Sequence, residues 1–197
     1  MIPADLCDAL RLGYPTGKYV EVSLSRLEAG LSHHDLVTIG ADLERSGLVT
    51  THVDSLQHPD DRSRLIVVGL VSCPLWGEFI AMPVQDRVVA IQEAGQVLHY
   101  LKAYVSRLGP FWIPEWNGFG VAGNTTTIEQ RPPTSTEWNL ASSLVDATLQ
   151  ERGFSKLPEN VLSEPVAWLD PSGAWTLRSV EDGGSPTVYE CLFSDVY

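Results

Sequence analysis

Positive charge is what this chain has least of. Its 197 residues hold 13 Lys and Arg against 25 Asp and Glu, a formal net charge of −12. Phosphate backbones and anionic membranes attract Lys and Arg, so the deficit argues against nucleic acid and lipid surfaces as partners. It favours a partner that is basic. Cysteine is scarce as well: Cys7, Cys73 and Cys191 are far apart, odd in number and without a CxxC pair. That spacing argues against a disulfide framework or a zinc site and points to a reducing, cytoplasmic setting. Long apolar runs are missing, since no stretch approaches the roughly 18 residues that a membrane span needs. The opening "MIPADLCDALRLG" carries Asp5 and Asp8 where a secretory signal has basic residues and then an apolar run.

Catalytic signatures are absent too. Neither G-x-S-x-G nor a P-loop occurs. The fragment "GFGVAG" (118–123) is followed by polar "NTTT" and lacks the strand–turn–helix frame of a dinucleotide site. His33 and His34 are adjacent, which sets them about 100° apart on a helix and keeps them from sharing an ion. His52 and His58 flank a turn with Asp54, Asp60 and Asp61 but supply no second ligand pair. Cys7 has no neighbouring Arg or His in sequence to activate its thiol. No catalytic, cofactor-binding or metal-binding residue is therefore assigned, and no cofactor is expected.

What is present describes a folded domain. Hydrophobic residues make up 44% and charged residues 19%, as in globular chains. A short helix is expected over 3–12, a half-buried strand over 18–24, and a helix opened by the Ser32–Asp35 capping box and closed at Gly47. "SRLIVVGLVS" (63–72) predicts a central strand and 75–83 a second one. Spacings of three and four from Val84 to Leu108 predict one long amphipathic helix. A second follows Thr134, capped with Glu137, with Trp138, Ala141, Val145 and Leu149 inward and Gly153 at its end. Strands are expected again at 165–169, 174–180 and 187–193, the last two around a hairpin loop. The fold class is α+β: a mixed or antiparallel sheet with two long amphipathic helices in a single domain, residues 1–197.

Between the two long helices lies "GPFWIPEWNGFGVAG" (109–123), with Phe111, Trp112, Trp116 and Phe119 among two prolines and four glycines. This reads as a loop whose aromatics either plug the core or face a partner. The plug is the favoured reading, with Glu115, Trp116 and Asn117 its exposed part.

Two resemblances bear on function. Residues 23–70 resemble a winged helix-turn-helix of transcription regulators, with a turn at Gly30–Leu31, a second helix ending "LERSGLV" and a wing tip at Asp60–Asp61–Arg62. That would divide the chain into 1–72 and 73–197. Yet four arginines stand against seven carboxylates between 24 and 64, and the second helix holds one late Arg, Arg45. Duplex recognition needs more donors than that.

The whole chain, small, acidic and ending in "TVYECLFSDVY" (187–197), is similar to immunity proteins of bacterial polymorphic toxin systems, which bind a cognate toxin domain and block its active site. That resemblance implies a non-enzymatic inhibitor with a basic protein partner and carries over no individual residue. From charge and predicted loop position, the partner-binding candidates are Asp54, Asp60 and Asp61 on one turn, Glu115 and Trp116, and Glu181 and Asp182 in the hairpin loop. A winged-helix regulator is the alternative, and an enzyme with a dispersed site the third reading. Oligomeric state is left open.

Overall fold

In a computed structural model, residues 2–53, 61–82, 84–95, 97–122, 125–174, 177–181 and 183–193 are described. The chain begins with α1 (Ala4–Gly13), α2 (Leu24–Ala29) and α3 (His33–Glu44), followed by strands β1 (Val49–Val53) and β2 (Ser63–Leu70). Ser32 and Asp35 form the capping box expected for α3, and Gly47 takes the left-handed φ of 69° that its turn requires. Residues 18–24 are not a strand. Tyr19 is buried, Val20 and Leu24 are 48% and 56% exposed, and Lys18 makes only a single bridge to Asp170. The stacking of Tyr19 on Tyr14 inverts the alternation that the sequence suggested.

The next segments depart further from expectation. Of the strand expected over 75–83, residues 75–81 fall instead in a helix, α4 (Pro74–Ala81), opened by a proline where a lost N–H costs nothing. Trp76 seats this helix on the sheet over Gly69, where a β-carbon would lie 2.2 Å from the indole ring. The long helix from Val84 breaks in two: α5 (Val84–Ala94) ends at Gly95, with φ 63°, and β3 (Leu98–Ser106) follows. Leu98, Leu101 and Val105 fit a spacing of three and four, but Leu101, Ala103 and Val105 also fit a period of two, and the glycine stop decides between them.

The aromatic segment is not a loop. It is β4 (Phe111–Ala122), the longest strand, paired with β3 along eight registered positions from Val105–Trp112 to Leu98–Phe119. Pro114 is tolerated because of which way its backbone faces. The carbonyl of Trp112 accepts from Leu157 N at 3.0 Å, so Trp112, Pro114 and Trp116 aim their backbone polar groups away from β3. The donor that Pro114 lacks therefore removes no β3–β4 hydrogen bond. β5 (Thr125–Glu129) pairs with the second half of β4. α6 (Thr136–Glu151) follows, with Ser135 rather than Thr134 as its cap, accepting from Trp138 N. β6 (Ser155–Lys156) adds a short parallel rung to the first half of β4.

The three C-terminal strands do not form. α7 (Glu159–Leu162) precedes them, and their described residues lie in turns, in a single bridge between Pro165 and Thr187, and in α8 (Arg178–Glu181) and α9 (Val188–Leu192). Thr187 and Glu190 make a capping box that opens α9, so "TVYE" is a helix start and not a strand.

The sheet order is β1-β2-β3-β4-β5 with β6 beside β4, antiparallel except for β6, and the α+β class stands. The sheet joins residues on both sides of the boundary between 1–72 and 73–197, because β2 pairs with β3. One face is dry: Ile66, Val68, Leu101, Ala103, Val105 and Trp112 meet Leu36, Ile39 and Leu43 of α3 and Trp138, Ala141, Val145 and Leu149 of α6. The opposite face is covered at its two ends by different layers. Trp76 of α4 and Ile91 of α5 cover Leu98 and Val121. α1, Tyr14, Tyr19 and the C-terminal turns cover Phe111 and Ile113. Among the described residues, no helix is long and apolar enough to cross a membrane.

Candidate functional site

Between those two covers the second face stays open. The register puts Val67, Lys102 and Glu115 in one row across β2, β3 and β4. Tyr104 and Ile113 form the row on one side and Tyr100 and Asn117 the row on the other. On the dry face Leu101 and Ala103 are 0% exposed. The side chains of Lys102 and Glu115 keep 25% and 35% of their surface. Alternation alone produces the contrast: Leu101, Ala103 and Val105 are apolar and inward, and Tyr100, Lys102 and Tyr104 take the other face.

The strip has two walls. Tyr100 stacks on Trp76, with ring centroids 5.4 Å apart, and so belongs to the α4 side. Tyr104 packs against the cluster built by the N- and C-terminal segments. The two tyrosines stand four positions apart on β3, which makes a floor about 13 Å wide. The terminal wall is held rigidly. Arg62, 1% exposed, donates from Nε to the Tyr14 hydroxyl at 2.6 Å and lies 4.2 Å from the ring centroid of Tyr19. Tyr14 in turn donates to the Cys191 carbonyl at 2.6 Å, and burial pushes its own hydroxyl well above the ordinary phenol range despite Arg62.

Polar chemistry on the floor centres on Glu115. Lys102 Nζ donates to its Oε1 at 3.1 Å, and Asn117 Nδ2 donates to the same oxygen at 2.9 Å. Burial pulls the Lys102 ammonium down, but the Tyr104 hydroxyl and the Glu115 carboxylate outweigh it and hold Lys102 above its usual range. Lys102 is therefore a full ammonium at neutral pH. Among the described residues, none donates to Oε2 of Glu115.

The structure separates the partner-binding candidates. Asp54, Asp60 and Asp182 lie outside the described residues. Asp61 does not project: it is 6% exposed, and its carbonyl accepts from Arg107 NH1 at 2.8 Å. Glu181 is exposed at the end of α8. Trp116 points to the dry face, edge-on to Trp138 at 5.3 Å, so it belongs to the core and is not presented. Of the four described candidates, Glu115 alone sits in the open strip. Lys102, Tyr100 and Tyr104 escaped notice because they fell inside an expected helix. The alternation within "YLKAYV" was the signal that would have found them.

Elsewhere the surface offers less. A cleft of about 350 Å³ lies where the α2–α3 turn meets the β3–β4 turn, but the Arg107 guanidinium on its wall is engaged by the Asp61 and Leu27 carbonyls. The outer face of α3 presents His33, His34, Val37 and Ala41, and its Glu44 turns onto β1 to accept from Thr51 N at 2.7 Å. Arg45 and Arg152 both pair with Asp42. Among the described residues, no three His, Cys, Asp or Glu side chains converge as metal ligands. Cys191 is buried, which raises its thiol far above the reactive range. Compared with family models, curated proteins and solved structures, the chain matches none of them.

Proposed function

We propose that this chain is a non-enzymatic, acidic, cytoplasmic protein-binding module, and that it acts as an immunity-type inhibitor which binds a cognate toxin enzyme and blocks it. One observation carries the reading: a rigid sheet is dry on one face and half open through the middle of the other, with a charged pair on that open floor. A partner completing the second layer would bury Val67, Tyr100 and Tyr104 and leave Lys102 and Glu115 at the interface. The net charge of −12 supports a basic partner. The test is a titration of the chain into the toxin-domain product of the gene next to its own, read as remaining enzyme activity. Loss of activity at one equivalent is expected. Full activity at a large excess would contradict the reading, as would an adjacent gene that encodes no toxin domain.

A second reading, a winged-helix regulator, draws on the order α2, α3, β1, β2, which is that of a helix-turn-helix followed by a wing. Against it stands the outer face of α3, whose Arg45 pairs with Asp42 and which offers few donors for phosphates or bases. A mobility-shift titration on the gene's own promoter separates the two. The inhibitor reading expects no competitor-resistant complex at physiological salt, and sub-micromolar binding would favour the regulator.

A further inference from the structure

The sheet ends on β1, whose own sequence holds none of the devices that protect an edge strand. Its five residues, Val-Thr-Thr-His-Val, are β-branched at all positions but one and include no Pro, Lys or carboxylate. Val71 N donates to the Leu48 carbonyl at 3.0 Å, which fixes the alternation along the strand. Thr50 and His52 therefore turn their backbone groups toward β2, and those of Val49, Thr51 and Val53 face outward. Such a row is a template for a further strand. At its middle, however, the outward N–H of Thr51 is taken. Glu44, the last residue of α3, accepts from it through Oε1 at 2.7 Å, and the same oxygen accepts from the Thr51 hydroxyl at 3.0 Å. Gly40, one turn earlier, lets the helix come down onto this strand, since a β-carbon there would lie 2.8 Å from Thr51 Oγ1. Glycine is a poor helix former, and close approach is what it supplies here.

We infer that Glu44 is an edge guard: its carboxylate holds the place that the carbonyl of an added strand would take, and so keeps β1 from pairing with β1 of a second copy. Antiparallel pairing of two copies centred on Thr51 would set Val49 opposite Val53 of the other copy and use every outward group of both strands. At that centre both carboxylates would have to be displaced before either Thr51 could pair. A self-complementary strand is thus closed by one side chain from the helix beside it.

Sedimentation velocity of the full chain across a concentration series tests this. Glu44→Ala removes the acceptor and should self-associate at least about tenfold more tightly than the wild type. Glu44→Gln keeps a carbonyl oxygen at the same reach while discarding the charge, and should behave as the wild type. Adding Thr51→Pro to Glu44→Ala also removes the opened donor. Proline there costs no bond to β2, because the lost N–H faces outward, and the double variant should return to the wild-type state. Glu44→Ala associating no more tightly than the wild type would overturn the guard, as would Glu44→Gln associating as strongly as Glu44→Ala. Association that persists with Thr51→Pro would overturn it as well, and this covers association driven by unfolding, which the proline would not reverse.

Discussion

The hydroxyl of Tyr14 lies 2.6 Å from Nε of Arg62, and the same oxygen donates to the Cys191 carbonyl at 2.6 Å. One phenol therefore joins the end of α1, the start of β2 and the C-terminal helix α9. Tyr19 repeats the tie beside it, donating to the Glu190 carbonyl at 3.0 Å. Tyr14→Phe keeps the ring and removes both bonds within a buried wall. It should lower stability by about 1 to 3 kcal/mol, since the groups left behind are desolvated. Urea unfolding checks this, with an unchanged slope and a lower midpoint expected.

Glu190 staples α8 to α9. Its carboxylate accepts from Ser179 Oγ at 2.5 Å, Thr187 N at 2.7 Å and Thr187 Oγ1 at 2.9 Å. Partial burial raises its pKa, but these donors outweigh burial and leave it below the ordinary glutamate value. A carboxyl depressed in the folded state contributes stability that is fully present above its unfolded pKa, about 4.3. That contribution is lost as pH falls through the lower folded value. The urea midpoint should therefore drop on acidification below about pH 4.3, and in Glu190→Gln this part of the drop should vanish. Parallel pH curves for the two proteins would contradict the assignment.

Trp116 belongs to the hydrophobic layer, edge-on to Trp138 and half-buried above the dry face. Trp116→Ala should accordingly reduce stability, by about 2 to 3 kcal/mol, because it opens a cavity between β4 and α6. In a folded sample it should leave partner dissociation little changed, whereas Glu115→Gln should do the opposite. Denaturation midpoints set beside dissociation rates distinguish the two residues.

How far the sequence carried depends on which signals compete. α3 and the inward face of α6 were legible because capping residues and an apolar stripe agree there. β2 was legible as a β-branched run too short for a helix. β3 was not, because Leu98, Leu101 and Val105 satisfy both periods and only Gly95 breaks the tie. β4 was hidden by its prolines and glycines, and whether Pro114 fits a strand depends on which neighbour its nitrogen faces, which no local pattern encodes. The C-terminal helices were short enough for β-branched residues to mask their caps. Glu115 was reached for a mistaken local reason, as part of a presented loop. Its partner Lys102 became visible only when the β3–β4 register set the two side by side.

The central claim is that the acidity of this chain serves recognition of a basic toxin domain. Attraction between separated charges is screened, with a Debye length of about 10 Å at 0.1 M salt, while close contacts in a formed complex are screened far less. Stopped-flow mixing of the chain with the toxin domain encoded beside it, across a salt series, tests this most directly. The association rate should fall by about tenfold or more from low to high salt, with a much smaller change in dissociation. An association rate independent of salt would contradict the account and leave the charge of −12 serving solubility alone.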